Sequence, residues 1–312
     1  MSKRIPIRVK PMLATLVAKP FERHGWVYEE KYDGIRILAY KEADRIRLLS
    51  RNDIDRTDSF PAIAAAMTRL PSQTLLLDGE VVAFDHRHVS RFQLLQQDRA
   101  DAEYVVFDCL FKDGKDLRRE PLAARRLVME QAIAGSKTLA LSLRLATNGV
   151  EAFRVAKRRG YEGIVAKDLA SSYAEGRSAS WLKVKVHQED EFVIVGYTQP
   201  EGSRKYFGAL LLGAYADRKL QYVGKVGTGF DQKTLAALYR HFQPLVRKRS
   251  SLVDPPRESG AVSLAPRLIA QIAFQEWTAD TKLRQPVFLG LRDDKRAEDV
   301  LLPKPAHDAH AK

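Results

Sequence analysis

The sequence predicts an α+β protein built in two parts. Short stretches of alternating apolar and polar residues, the period of a half-buried strand, recur along the whole chain. The few segments with helical spacing interrupt these strands without the strict strand-helix-strand order of a doubly wound sheet. In the last third, four or five short strands accompany a single helix. The 312 residues suffice for about two domains at the usual ~100–200 residues each. A 45% hydrophobic and 9% aromatic content can fill two cores, which sets aside disordered and fibrous classes. No repeat of 20–50 residues points to a solenoid.

The first strands fall at 26–31, 35–40 and 46–49, with a polar turn at 41–44, and further strands at 74–84 and 104–111. A helix is expected over 122–134, where Leu122, Leu127, Val128, Ala132 and Ile133 form an apolar stripe. A second runs from about Val150 to Arg159 and stops at Gly160. Strands return at 163–167 and 181–186. The charged bridge 187–191 marks a boundary, giving domains at 1–187 and 188–303. The second domain reads as strands at 192–197, 209–216, 220–226 and 269–278, with a helix over 231–242. Asp231 is its N-cap, and Leu235, Leu238 and Phe242 form its buried stripe. Five strands and a helix fit a small Greek-key barrel of the OB type. Residues 304–312, rich in Ala, His and Lys, read as a disordered tail.

Lys and Arg number 52 against 39 Asp and Glu, a net charge of +13. This excess predicts a polyanionic partner, because each cation that meets a phosphate releases a condensed counterion. The single cysteine, Cys109, cannot form an internal disulfide, which suits a reducing cytoplasm. The segment Met1-Ser2-Lys3-Arg4-Ile5-Pro6 is not followed by the apolar stretch of a secretory signal, and the longest apolar run, 207–216, is too short to span a bilayer. A cytoplasmic protein with no membrane partner is expected.

The most informative segment is Lys31-Tyr32-Asp33-Gly34-Ile35-Arg36. At average residue usage a Lys-x-Asp-Gly-x-Arg match arises by chance in about half a percent of chains this long. A solvated β-turn would explain it alone. However, Glu29, Lys31 and Asp33 share strand parity beside Trp26, Val27 and Tyr28, and a lysine so placed can lose its proton by desolvation and become a nucleophile. Four further segments place charge in apolar strands. Asp78 and Glu80 share parity around Gly79, which could equally mark a bulge. Phe107 lies in Tyr104-Val105-Val106-Phe107-Asp108 and could simply be core. Glu162 precedes the strand Gly163-Ile164-Val165-Ala166-Lys167 and could be an edge carboxylate. Lys183 and Lys185 alternate with Leu182, Val184 and Val186, as on a half-exposed strand. One chemistry uses all these parts together. Nucleotidyl transfer through lysine needs an amine nucleophile, carboxylates for a divalent cation, an aromatic plate for a base and fixed cations around a triphosphate. Zinc-type Cys/His spacing, Gly-x-Ser-x-Gly and Gly-x-x-x-x-Gly-Lys-Ser/Thr are all absent from the sequence, and Gly227-Thr228-Gly229 is too short to be a specific phosphate loop.

With these segments in order, from Pro11-Met12-Leu13-Ala14 to Lys295, the chain resembles the ATP-dependent DNA ligases, members of the covalent nucleotidyltransferases. It most resembles the ligase domain of bacterial end-joining ligases of the ligase D type. Much of that finer likeness lies in Val226-Gly227-Thr228-Gly229-Phe230, Glu276-Trp277-Thr278 and the run from Leu283 to Lys295. The resemblance implies an N-terminal nucleotidyltransferase (adenylation) domain of antiparallel sheets with helices, followed by an OB-fold barrel. It implies that Lys31 takes AMP from ATP as a phosphoramidate and that Glu29 lies beside the adenine. Arg36 would reach the ribose or phosphate, and Arg51, in Ser50-Arg51-Asn52, would sense the 5′-phosphate of a nick. Phe107 would stack on adenine, Lys183 and Lys185 would contact the α-phosphate, and Asp33, Glu80 and Glu162 would serve Mg2+ or Mn2+, Glu80 also the ribose. Arg284, Arg292, Asp294 and Lys295 would act on the pyrophosphate leaving group.

Two positions depart from the family pattern, Asp53 and Thr281, where glycine is common. A separate N-terminal DNA-binding domain and polymerase or phosphoesterase domains are not expected. The implied partner is duplex DNA with nicks or ends, with a Ku-like end-binding protein as a possible second partner and a monomer as the expected state. Two alternatives stay open: an RNA ligase or capping-type guanylyltransferase, and a non-catalytic nucleic-acid-binding module.

Overall fold

The computed structural model describes residues 4–97, 101–186 and 188–302; the expected tail at 304–312 lies outside them. The chain forms two compact units, divided between Val186 and His187.

The first unit holds strands β1 (Met12–Leu16), β2 (Trp26–Lys31), β3 (Ile35–Glu42), β4 (Arg45–Ser50), β5 (Thr74–Val82), β6 (Glu103–Lys112), β7 (Lys115–Asp116), β8 (Leu139–Leu141), β9 (Arg144–Ala146), β10 (Gly163–Asp168) and β11 (Gly176–Lys185). Its helices are α1 (Pro61–Arg69), α2 (Phe92–Gln97), α3 (Leu122–Ala132) and α4 (Gly149–Arg159). One sheet has the order β1-β11-β10-β2-β9, and the other β4-β3-β5-β6-β7 with β8 also on β6. The sheets face each other through Met12, Leu38, Tyr40, Leu76, Phe107, Phe111 and Trp181. Each outer face is covered by helix. Tyr28, Ile164, Ala166, Leu182 and Val184 pack on Ala152 and Ala156 of α4. Ile35, Ile37, Leu75, Leu77 and Val106 pack with Ile63 and Met67 of α1, Phe92 of α2 and Met129 of α3. Period-2 alternation therefore sends one residue set to a helix-covered core and the other to the space between the sheets.

The ends of α4 follow local rules. Asn148 accepts from the Glu151 N–H at 2.8 Å, and Gly160 ends the helix at φ 79°. Helix α1 is closed by a distant residue: Lys41, 4% exposed, donates to the carbonyls of Met67, Thr68 and Leu70 at 3.1, 2.7 and 2.5 Å. Its ammonium gathers carbonyl oxygens of the last turn, of which that of Met67 also accepts from the Leu70 N–H, at the end where the helix dipole is negative.

Several elements differ from the sequence expectation. In α3 the buried face is Leu122, Arg125, Arg126, Met129 and Ala132, whereas Leu127, expected on the stripe, is 61% exposed. Two arginines can face inward because buried carboxylates meet them, Asp108 for Arg125 and Glu29 for Arg126. Strands β1, β7, β8 and β9 and helices α1 and α2 are additional to the predicted set. In the second unit the charged bridge is itself strand, the first half of β12 (Gln188–Tyr197). It pairs with β16 (Val262–Phe274), which begins and ends earlier than the strand expected at 269–278. Pro266 sits where the β12–β16 register shifts, between the pairs Ser263↔Gly196 and Leu268↔Ile194, so the proline falls where the ladder is already irregular.

The remaining strands are β13 (Leu210–Ala216), β14 (Lys219–Val226), β15 (Val246–Arg247) and the unforeseen β17 (Val287–Arg292). They form one curled sheet, β14-β13-β12-β16-β15 with β17 also on β16, consistent with an OB fold. Helix α5 (Gln232–Phe242) is capped as expected, Asp231 accepting from the Thr234 N–H at 2.6 Å, and it buries Leu235, Leu238 and Phe242.

Candidate active site

The inner face of the first sheet assembles the expected nucleophile. Register places Lys31 of β2 opposite Gly163 of β10, and Gly163 opposite Lys185 of β11. The next row is Glu29, Val165 and Lys183, and the one after it Val27, Lys167 and Trp181. Glycine at 163 is required by close approach, since a Cβ there would lie 2.1 Å from the Val184 carbonyl oxygen.

Lys31 Nζ donates to Glu162 Oε2 at 2.5 Å, with side-chain exposures of 19% and 10%. This corrects the expectation of a lysine deprotonated by desolvation. Burial does push the Lys31 ammonium down. The charge and hydrogen bond of Glu162, with the charges of Glu80 and Asp33, outweigh it and hold Lys31 above its ordinary value. Burial pushes Glu162 up, but Lys31, Lys185 and Lys183 carry it below the usual carboxylate range. The resting pair is therefore ammonium and carboxylate, with the proton on Lys31 and its acceptor already in contact.

Glu29, 1% exposed, is the centre of a second cluster. Its Oε2 accepts from Lys167 at 2.6 Å and from Ser142 Oγ at 2.9 Å, and its Oε1 accepts from Arg126. Lys167 Nζ also lies 4.2 Å from the Phe107 ring centroid and 4.3 Å from that of Trp181. Phe107, 7% exposed, thus has both the core position and the place beside the site that the sequence left as alternatives. Arg36, expected to reach ribose or phosphate, is held by Asp78 in a fork at 2.5 and 2.7 Å, with its guanidinium 4.4 Å from the Phe107 ring. Asp78 is fully buried and also accepts from the Tyr173 hydroxyl at 2.7 Å. A β-bulge does fall at Asp78/Gly79, where a Cβ on Gly79 would strike the Tyr104 ring and Val105 oxygen, each at 2.6 Å.

The expected metal carboxylates Asp33, Glu80 and Glu162 all act on the charge of Lys31. Asp33 is also engaged by backbone, its Oδ2 accepting from the Phe92 N–H at 3.1 Å, at the start of α2. Among the described residues no group of three or more His, Cys, Asp or Glu side chains could hold a metal. Two oxygen donors nonetheless fit Mg2+, which usually takes one or two carboxylates and completes its shell with substrate phosphates and water.

The other expected residues lie on the surface or in the second unit. Arg51 is exposed on the loop after β4. Asp53, in that loop, adopts φ 63°, and Thr281 adopts φ 59°, so both departures from glycine keep the left-handed conformation glycine would supply. Arg284 pairs with Glu276 at 2.7 Å, both more than half exposed. Arg292 forks onto Asp294 at 2.8 and 2.9 Å, and Lys295 meets Glu191 at 2.5 Å.

Sequence reasoning missed Lys167, Arg126 and the Arg125–Asp108 pair, and it singled out Asp78 without foreseeing its pairing with Arg36. Lys167 carried the signal that flagged Glu162, a charge in an apolar strand. Arg125 and Arg126 carried none, since in a helix two adjacent arginines read as solvated.

Similarity to known proteins agrees with this geometry. The family model for the ATP dependent DNA ligase domain matches residues 11–185, and that for the ATP dependent DNA ligase C terminal region matches 203–295. The chain is 38% identical, over 97% of its length, to the multifunctional non-homologous end joining protein LigD of Pseudomonas aeruginosa, and 36% identical, over 93%, to that of Mycolicibacterium smegmatis. It spans only 37% and 39% of those relatives. Among solved structures, mycobacterial DNA ligase D complexed with ATP and MES superposes with a TM-score of 0.70 at 32% identity, covering 95% of this chain and 98% of that one. With one model over residues 11–185 and a second over 203–295, the chain belongs to the ATP-dependent DNA ligase family.

Proposed function

We propose that the chain seals 5′-phosphate/3′-hydroxyl breaks in duplex DNA through a lysyl-AMP intermediate, as the ligase part of an end-joining system. The observation that carries this is the Lys31–Glu162 pair, in the row where Lys31 and Lys185 flank Gly163. Glu162 takes the proton from Lys31 Nζ, and the freed amine attacks the α-phosphorus of ATP. A nitrogen–phosphorus bond forms, the bond to the bridging oxygen breaks, and pyrophosphate leaves. Lys183 and Lys185 offset charge developing on the α-phosphoryl oxygens. A DNA 5′-phosphate oxygen then attacks the same phosphorus and releases Lys31. Finally the 3′-hydroxyl attacks the DNA phosphate and expels AMP. Glu80 is the side chain that would hold Mg2+ or Mn2+ while Glu162 carries the proton, and the metal when bound would neutralise phosphate charge. Arg284, Arg292 and Lys295 serve the pyrophosphate during the first step, and Arg51 the 5′-phosphate.

The proposed substrate is duplex DNA with nicks or ends, acted on by a monomer. A Ku-like end-binding protein is the proposed partner, as is a place in the cytoplasm on the nucleoid. Among the described residues no helix is long and apolar enough to cross a membrane. Incubation with labelled ATP and with labelled GTP tests the reading. Acid-stable label from ATP, lost in Lys31→Ala, is expected; label from GTP alone would favour a capping-type guanylyltransferase, and unchanged sealing by Lys31→Ala would end the proposal.

A further inference from the structure

In the second unit, the loop between β12 and β13 is tied at its base and along both arms. The Thr198 N–H donates to the Ala209 carbonyl and the Gly208 N–H to the Thr198 carbonyl, each at 2.9 Å, and the Ala209 N–H reaches Thr198 Oγ1 at the same distance. Arg204 Nη1 donates to the Gly227 carbonyl at 2.8 Å, with its guanidinium 5.5 Å from the Phe230 ring centroid. Phe207 is fully buried, its ring 5.4 Å from that of Phe230 and 5.5 Å from that of Phe242.

Between these anchors Tyr206 adopts φ 77°, and the Phe207 N–H donates across it to the Lys205 carbonyl at 3.1 Å. A hydrogen bond closed over one residue of positive φ is the rarer, strained form of the γ-turn. A bulky side chain is unusual there, and glycine would remove the strain. The tyrosine ring gains little in exchange. It is 40% exposed, and its ring contact among the described residues is with Tyr239, tilted 45° at 5.6 Å. Packing therefore does not account for an aromatic at this position. Two cations, Arg204 and the exposed Lys205, immediately precede it. The Arg204 Nε–H is buried without an acceptor among the described residues, a state in which donors are seldom left. Backbone strain that the surroundings enforce is common where a side chain is presented to a ligand. An exposed ring beside cations is the arrangement that stacks nucleic-acid bases while meeting their phosphates.

We propose that Tyr206 is a DNA-contacting residue of the second unit: its ring stacks on a base that has lost a neighbour where the duplex is interrupted, with Lys205 and Arg204 on the flanking phosphates. The turn holds the ring outward, so that little ordering is left to be done on binding. Every base offers a π-face, and the contact therefore selects the interruption rather than a sequence. The proposal rests on the DNA reading given above.

A dumbbell duplex closed at both ends, with and without one nick, tests this by fluorescence anisotropy. Tyr206→Gly is expected to bind the nicked dumbbell about five- to a hundredfold more weakly than the wild type, the usual worth of one stacked base, and the closed dumbbell within about twofold. Tyr206→Phe, which keeps the ring, should match the wild type on both. The melting temperature of Tyr206→Gly is expected at or above that of the wild type, because the turn favours glycine. A 2-aminopurine base beside the nick should lose fluorescence on binding the wild type and Tyr206→Phe, and retain it with Tyr206→Gly. Equal binding of the nicked dumbbell by the wild type and Tyr206→Gly would overturn the proposal. So would equal weakening on both dumbbells, which would mark a lost phosphate contact or a disturbed loop. If the wild type showed these differences but formed no lysyl-AMP, the base contact would stand and the ligase reaction would fall.

Discussion

The two units carry their candidate cations in different ways. In the first, each partner is remote in sequence and shielded: Lys31 meets Glu162, Lys167 meets Glu29 and Arg125 meets Asp108, with Arg125 and Asp108 wholly buried. In the second, the pairing is mixed: Arg284 pairs on the surface with Glu276, Arg292 pairs two residues away with the buried Asp294, and Lys295 meets the distant Glu191. Remote, shielded pairs exist only once the sheets have formed, and they fix side chains to within the reach of one bond. An exposed pair such as Arg284–Glu276 costs little to exchange for a phosphate. The first arrangement suits a nucleophile that must not wander, and the second suits cations needed for one step and withdrawn for the next.

The comparison can be broken in several places. Lys31→Ala should abolish acid-stable labelling from ATP by three orders of magnitude or more; it also leaves the Glu162 carboxylate without its direct partner, so a lowered melting temperature accompanies the loss in a protein that is still folded, and retained labelling would place the nucleophile elsewhere. Glu162→Gln should slow labelling by about 10²–10⁴-fold, the usual worth of a positioned base, and shift the rise of rate with pH to lower pH. The sign follows from Lys31, whose ammonium Glu162 now holds above its ordinary value; without that charge, burial lowers it. A pH profile unmoved by Glu162→Gln would refute the coupling.

Arg125→Met leaves Asp108 buried without its partner and should cost about 3–5 kcal/mol of stability, measured by denaturant unfolding. Arg284→Ala, at a pair more than half exposed, should cost under about 1 kcal/mol by the same measurement and act on the adenylation rate instead. Similar stability losses in the two would erase the contrast between the units.

A last test concerns Glu30, on the outer face of the first sheet. It is 4% exposed, its Oε1 has no partner, and burial pushes its carboxyl up to about 8. The folded state then holds a proton that the unfolded state releases near 4.5, so stability falls as pH rises from about 4.5 to about 8. Glu30→Gln should flatten that fall, which is at most on the order of 1 kcal/mol per pH unit. Melting temperatures at pH 5, 7 and 9 that move in parallel for both proteins would show that Glu30 does not titrate in this window.

How much could be read before folding differed between residues. Lys31, Glu162, Lys183 and Lys185 were legible because a charge repeated at strand parity inside apolar sequence needs a use. Gly160 and Asp231 were legible because caps act within a few residues. Leu127 misled because hydrophobic spacing says which residues could be buried, not which face the sheet accepts, and here Asp108 and Glu29 drew the arginines inward. The start of β16 was not legible, because its ladder with β12 shifts register beside Pro266 and no local pattern carries the pairing across that shift.

By itself the sequence determined the strand parities, the helix ends, the excess of positive charge and the residue types that a lysine nucleotidyl transfer requires. Those properties are local or compositional, and no partner has to be known to read them. The tertiary structure alone decided that Lys31 is held protonated by Glu162, that Arg36 is held by Asp78, and that Arg126 and Lys167 converge on Glu29. These depend on cross-strand register and on which helix face meets the sheet, contacts between residues as many as 138 positions apart that no local pattern encodes.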